Sequence, residues 1–456
     1  MNKPEMPEVG DNQPSSMFFW PTPDRPMVER GEGIYLWDTT GKRYIDASSG
    51  PQTTNLGHGN KRVLAAMQAQ AEKVSYAFRS HFLNEPAEGL ARDIAAAAPN
   101  HLDMAFFCSG GSEAVETCVK LARQYAIADG EPARYKVISR IPSYHGTTLG
   151  ALSLTGDPAG FSMFAPMMVN QPKIPAPFCR YRPAGQSEEE AALGFANALE
   201  TEIINQGPET VLAFIMEPVG GAATGALTAP DAYYLRIRHI CDKYGVLLIF
   251  DEVMSGAGRC GKFLSAEYWP NAMPDIVALA KGLGAGYMPL GACLAPREMV
   301  EAVQNHGGFM HGHTYSASPV ACTVGRAVLA EYTEHGLIEN AAKMGAILKS
   351  RLEALLDDYE FIGEIRGKGL LLAFDVVADR ETGKPLPPEF NAYLRLAQEA
   401  YDRGLIIYSR RVMGGVRGDH FLVTPALTVT EAEIDEIMDL LVQSLEVFAV
   451  QVRAVM

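Results

Sequence analysis

Between residues 60 and 325, short uninterrupted apolar runs alternate with longer stretches of helical periodicity. This alternation constrains the fold more than any other feature of the chain. The runs are Met104–Cys108, Lys136–Ser139, Val211–Met216, Val246–Phe250 and Ile276–Ala280. A strand with one wet face alternates apolar and polar residues, whereas a strand buried on both faces reads as a continuous apolar run. The segments between the runs suit crossover helices. The pattern therefore predicts an α/β domain with a mainly parallel sheet.

The rest of the chain reads differently. Residues 1 to 30 are rich in proline and predict a loosely held arm. Residues 33–47, GIYLWDTTGKRYIDA, read as a hairpin around Thr39-Thr40-Gly41-Lys42. Beyond about residue 330 the order is a long helix over Ile338–Leu356, a strand over Gly369–Val376, a helix over Phe390–Arg403, a short strand and a final helix from Glu431. These predict a smaller α+β domain. The expected division is an arm and small-domain hairpin over 1–59, a large domain over 60–328 and a C-terminal small domain over 329–456.

Charge and cysteine usage narrow the function. A net charge of −15 argues against nucleic acid or an anionic membrane as partner, since both need a basic surface. The chain has no long uncharged apolar stretch able to span a bilayer, and Met1–Glu8 contains no apolar core of a signal peptide. The seven cysteines include no C-x-x-C pair. Together these features point to a reducing, cytoplasmic setting.

Chemistry enters at the ends of the apolar runs. Val211–Met216 is followed by Glu217, Val246–Phe250 by Asp251, and Ile276–Ala280 by Lys281. In open α/β sheets ligands bind at the carboxyl ends of the strands, so two acids and a lysine are expected along one sheet edge. A single strand-end charge is as often merely solvated, but three with matched chemistry are harder to dismiss. A fourth run, Met104–Cys108, leads into Ser109-Gly110-Gly111-Ser112 and then a helix. Small residues there expose backbone N–H groups at the positive helix end, which makes a phosphate site. The plainer alternative is an ordinary turn.

One cofactor suits this set. Pyridoxal phosphate needs an amine for its Schiff base, which Lys281 supplies. It needs an acid beside the pyridinium nitrogen, and Asp251 is placed for that. It needs an anion cradle, offered by Gly110, Gly111 and Ser112. Tyr144 can stack on one ring face and Val253 can cover the other.

In order and at suitable spacing, the chain carries Phe107-Cys108-Ser109-Gly110-Gly111-Ser112-Glu113-Ala114, Tyr144-His145-Gly146, Glu217-Pro218, Asp251-Glu252-Val253, and Lys281-Gly282-Leu283 with Pro289-Leu290-Gly291. This set resembles the signature of the class III aminotransferases, within the fold-type I pyridoxal-phosphate enzymes, and the resemblance covers nearly the whole chain. It implies a homodimer with active sites at the subunit interface. It places His145 among the cofactor contacts, assigns Glu217 to hydrogen bonding around Asp251 and the ring, and matches Thr314 to the residue that reaches the phosphate of the partner's site. It also places Pro51, Gln52, Tyr76, Phe78, Tyr144 and Thr224 around the substrate pocket. Cys108-Ser109-Gly110-Gly111-Ser112 departs from the common asparagine-serine-glycine-serine form. The implied reaction moves an amino group from a primary amine or ω-amino acid to a keto acid, with pyruvate expected, in ping-pong fashion. For the keto acid carboxylate, Arg410, Arg411 and Arg417 are candidates. Alignment on Gly418-Asp419-His420 favours Arg417. A 2,1-aminomutase and a decarboxylating relative of the same fold are the alternatives, and a non-catalytic binding protein is the rival from outside enzymology.

Two motifs are decoys. Gly256-Ala257-Gly258-Arg259-Cys260-Gly261 fits G-x-G-x-x-G, yet it leads into Lys262–Pro274, which carries Pro270 and Pro274 and reads as loop instead of opening a helix. His306, His311 and His313 lack a nearby carboxylate or cysteine in sequence, so no metal is expected.

Overall fold

The computed structural model describes residues 8–9, 13–14, 25–183, 185–411, 413–416 and 418–456. Most of the proline-rich arm lies outside them. A seven-stranded sheet has the order Met104–Cys108, Gly291–Ala295, Ile276–Leu279, Leu247–Asp251, Val211–Met216, Lys136–Ile141, Lys173–Pro175. Gly291–Ala295 runs antiparallel to both neighbours, and the other strands are mutually parallel. The α/β reading of the apolar runs holds.

Alternation of side chains explains why these runs are apolar throughout. Phe214, Met216, Leu248, Phe250, Val277 and Leu279 enter one core cluster. Ala213, Ile215, Ile249, Ile276 and Ala278 enter the cluster on the opposite face. Successive residues of a strand point to opposite faces, so a sheet covered twice needs apolar residues at every position. Each such Ile or Phe contributes roughly 1.5–3 kcal/mol by burial. Helix Gly111–Ala128 covers the second face with Val115, Cys118 and Ala122. Helices Glu188–Gln206 and Asp231–Tyr244 pack together over the first, through Ala196, Leu199, Ile237 and Ile240. The former opens on a reciprocal cap between Ser187 and Glu190. The latter ends on Gly245 at φ +61°, where a side chain would be strained.

Two strands of this sheet escape the sequence pattern. Gly291–Ala295 (GACLA) is fully buried but built from small residues with weak strand preference. Lys173–Pro175 is a three-residue edge strand ending in proline.

A second, antiparallel sheet has the order Ile362–Lys368, Leu371–Asp379, Asp419–Val423, Tyr408–Arg411, with Lys384–Pro385 on the side. Helices Leu337–Asp358, Ala392–Asp402 and Glu431–Arg453 accompany it. The N-terminal hairpin is present as Tyr35–Asp38 and Arg43–Asp46, with Val28–Glu32 added outside. Asp38 Oδ1 accepts from the N–H groups of Thr40 and Lys42 and so fixes the turn. Leu405–Ile406 pairs parallel with Arg43–Asp46, which knits the two ends of the chain together.

The glycine-rich decoy has a packing explanation. Added Cβ atoms at Gly258 and Gly261 would lie 3.1 Å from Ile338 and 2.8 Å from Ala342. Between these glycines Arg259 is fully buried and donates to the carbonyls of Leu370, Thr424 and Pro425 and to Asn55 Oδ1, joining four segments. Among the described residues no group of three or more metal-binding side chains forms, and no helix is long and apolar enough to cross a membrane.

Candidate active site

The carboxyl ends of the parallel strands open into a pocket of about 290 Å³ lined by Ser109, Gly110, Gly111, Ser112, Tyr144, His145, Glu217, Asp251, Val253 and Lys281. Strand polarity brings them together: each follows or ends a strand that runs in the same direction. Thr53, Met254 and Pro289 complete part of the wall.

Lys281 stands two residues beyond strand Ile276–Leu279, with φ at +46°. A non-glycine residue in the left-handed region costs of order 1 kcal/mol, and such strain collects at functional sites. Among the described residues its ammonium has no hydrogen-bond or ion-pair partner, a state that burial penalises. Burial accordingly pulls its pKa from the ordinary 10.5 down to about 8, against the upward pull of Asp251 and Glu217. Close to neutral pH, Lys281 is thus a usable amine nucleophile and base.

Asp251 ends its strand and is buried. One carboxylate oxygen lies 2.8 Å from His145 Nδ1, and the other accepts the Val253 N–H at 3.1 Å. With Asp251 ionised, the shared proton resides on Nδ1. The His145 side chain is wholly buried, and among the described residues its Nε2 has no partner. Its backbone N–H is fixed by Thr155 Oγ1 at 2.9 Å. Glu217, one strand over, accepts the N–H groups of Gly221 at 3.0 Å and Tyr144 at 3.4 Å. Burial pushes its carboxyl pKa up, opposed by His145 and Arg140.

On the other side, helix Gly111–Ala128 begins at Gly110 without any side-chain cap. Its first N–H groups are left for a ligand, and nothing stands within 4 Å of a Cβ built on Gly110. A Cβ on Gly111 would meet Val253 Cγ1 at 2.7 Å, so the backbone closes tightly under Val253. Ser112 Oγ accepts the Thr147 N–H at 3.1 Å. These residues fit pyridoxal phosphate: an unpartnered amine, a buried oriented carboxylate and an uncapped helix end share one cavity.

A second lobe of about 320 Å³ shares Tyr144, Ala222, Met254 and Lys281 with the first and adds Pro51, Asp157, Phe161, Tyr408 and Arg410. Tyr408 and Arg410 stand two apart on one strand and so share a face. Arg411 points the other way, into a two-armed pair with Asp419 at 2.8 Å per arm. The favoured Arg417 lies outside the described residues. Gln52 and Thr224 are buried beside the lining residues, each with an oxygen that is unpaired among the described residues. Tyr76, Phe78 and Thr314 are exposed and line neither lobe of their own chain; the Tyr76 hydroxyl donates to the Thr314 carbonyl at 2.9 Å. Sequence reasoning missed Asp157 and Phe161, which sit at a loop and a single helical turn without periodicity. Tyr408 was also missed; its i, i+2 spacing to the candidate Arg410 on one strand is the signal that could have found it.

The aminotransferase class-III profile matches residues 21–445. The uncharacterized aminotransferase YodT of Bacillus subtilis is 40% identical over 91% of this chain and 94% of its own. The chloroplastic gamma aminobutyrate transaminase 3 of Solanum lycopersicum is 36% identical over 90% of this chain and 79% of its own. Among solved structures, the thermostable (S)-enantioselective omega-transaminase from Thermomicrobium roseum superposes with a TM-score of 0.86 at 37% identity over 92% of both chains. The omega transaminase of Pseudomonas jessenii, solved in complex with PMP, gives 0.87 at 35% identity over 94% of both. The chain belongs to the class III aminotransferases and is a pyridoxal-phosphate-dependent transaminase.

Proposed function

We propose that this chain transfers an amino group from a primary amine or ω-amino acid to a keto acid, pyruvate first, in two half-reactions centred on Lys281. The carrying observation is that an unpartnered lysine of lowered pKa, the Asp251–His145 pair and an uncapped helix end face one cavity. Pyridoxal phosphate supplies there an aldehyde that amines can join and a ring that withdraws electrons from the attached carbon. The N-terminus of helix Gly111–Ala128 and Ser112 would hold the phosphate. Asp251, oriented by His145 and the Val253 N–H, would keep a proton on the ring nitrogen. Tyr144 and Val253 would flank the ring. Lys281 Nζ takes the proton from the substrate carbon that bears the amino group and, in the reverse half, delivers one to the acceptor carbon.

The second lobe supports the substrate class. Tyr144, Phe161 and Tyr408 suit an apolar amine body, and Arg410 offers a fork for a carboxylate. Arg411 is already spent on Asp419. The gamma aminobutyrate transaminase and omega-transaminase relatives favour the same class of donor. We also propose a homodimer: Phe82, Leu83, Met310 and Tyr315 are 68%, 84%, 82% and 66% exposed near Thr314. A second copy would cover them and bring Thr314, Tyr76 and Phe78 to the neighbouring site.

Arg410→Ala should raise the KM for pyruvate about tenfold or more, the usual cost of a hydrogen bond to a charged group. The half-reaction with an uncharged amine should lose much less. Unchanged pyruvate kinetics would remove Arg410 from the site. Turnover with 2-oxoglutarate but not pyruvate would change the acceptor and leave the transaminase.

A further inference from the structure

We propose that His420, backed by Arg366, is a positioning residue that holds one wall of the cavity back and so keeps the second lobe open to a bulky amine. The inference rests on the second lobe as the seat of the amine body.

The wall is the segment 219–226, between strand Val211–Met216 and helix Asp231–Tyr244. Ala222 lines both lobes and Ala223 the second. The segment is turn and bend rather than helix or strand, so its shape depends on where its backbone groups find partners. On the side of the first sheet, Glu217 accepts the Gly221 N–H at 3.0 Å. The Thr224 and Gly225 N–H groups fold back on the Gly221 carbonyl at 3.3 and 2.9 Å. The carbonyls of Ala222, Thr224 and Gly225 are answered from the second sheet. His420 Nε2 lies 2.8 Å from the Ala222 carbonyl, and Arg366 donates to those of Thr224 at 3.2 Å and Gly225 at 2.6 Å. A carbonyl only accepts, so His420 carries its proton on Nε2. Burial, helped by the Arg366 charge, pulls the His420 pKa down to about 4, so it is a neutral donor near pH 7.

Strand register aims these donors at the wall. Asp375, His420 and Arg410 are direct cross-strand neighbours, and residues so paired share a face. Arg366 pairs with Ala373, two residues before Asp375, and therefore stands on the same face. Asp375 Oδ2 accepts from Arg366 Nη1 at 3.1 Å and fixes it. His420 is 6% exposed, and a Cβ built on Gly225, where φ is +61°, would lie 2.6 Å from its Cδ2. The wall is thus drawn as close to the second sheet as packing permits, and the room left to it is in the lobes. A buried carbonyl that loses its donor is costly to leave unpaired. Without His420 the Ala222 carbonyl would turn toward the lobes to reach water, and the space for a substrate would narrow.

The test is oxime formation on the holoenzyme by O-methylhydroxylamine and O-benzylhydroxylamine, followed through the cofactor's absorbance. The aminooxy nitrogen joins the cofactor's aldehyde carbon and the Lys281 amine leaves, whatever substrate the enzyme serves. Only the benzyl group needs the width of the second lobe. His420→Leu keeps the bulk and removes the donor, so the benzyl-to-methyl rate ratio should fall about two- to tenfold, the range set by loss of one buried hydrogen bond. His420→Gln, whose amide N–H reaches for the same carbonyl, should stay near wild type. Amide hydrogen exchange over 219–226 should be slow in the wild type and faster in His420→Leu; should the leucine variant fail to fold, exchange in the wild type decides alone. An unchanged or rising ratio, equal slowing of both probes, a glutamine variant as impaired as the leucine one, or wild-type exchange as fast as in the exposed stretch around Met163, Met167 and Val169 overturns the clamp and leaves the transaminase reading in place. If neither probe changes the cofactor's absorbance in the wild type, that reading falls, and the clamp with it.

Discussion

The ionisation of Lys281 offers a quantitative test of the site. At pH 7 a lysine with pKa about 8 is neutral in roughly one molecule in ten, against about one in three thousand for an ordinary lysine at 10.5. Reaction of the apoenzyme with limiting acetic anhydride should therefore label Lys281 up to about 300-fold faster than ordinary ionisation would allow, if access is equal. The neutral fraction rises with pH, so the labelling rate should climb through a midpoint near 8 and level off above it. Lys173 is an internal control, since burial also lowers its pKa to about 8, yet its Nζ donates to the Ser153 carbonyl at 2.8 Å. Asp251 stabilises the ammonium of Lys281 only, so Asp251→Asn should move the Lys281 midpoint below 8 and leave that of Lys173 in place. Peptide mass spectrometry across a pH series reads both. A Lys281 midpoint near 10.5, or a rise in it on Asp251→Asn, would refute the assignment of its low pKa to burial opposed by Asp251.

Further outcomes follow from the geometry. Gly111→Ala places a Cβ 2.7 Å from Val253 Cγ1, so the helix end or Val253 must shift, and cofactor should dissociate faster, measured by loss of visible absorbance on dilution. Mixing Lys281→Ala subunits with Thr314→Ala subunits should restore activity, because Thr314 is exposed outside its own pocket and would serve the partner's; no recovery means Thr314 acts within its own chain.

The large sheet and its reactive edge were legible because strand burial on two faces and strand-end chemistry leave local marks. Val211–Met216 with Glu217, and Leu247–Asp251, are examples. Gly291–Ala295 was not legible, because its small residues are chosen for close packing rather than strand preference. Asp157 was hidden for a different reason. It contacts Arg410 across 253 positions of chain, and a loop carboxylate has no periodic signal. Arg410, Arg411 and Arg417 lie close in sequence; only strand alternation in the folded sheet separates the clamped Arg411 from the pocket-facing Arg410. Tyr76 and Phe78, placed around the pocket by resemblance alone, line neither lobe of their own chain; nothing in the local sequence sets them apart from any exposed aromatic.

Lys281 is the residue proposed to carry the cofactor. Borohydride reduction of the yellow holoenzyme, followed by proteolysis and mass spectrometry, should find the pyridoxyl phosphate mass on a single peptide, the one containing Lys281. Finding it instead on the peptide of Lys173, the other lysine with a pKa lowered to about 8, or on several lysines at once, would contradict the account.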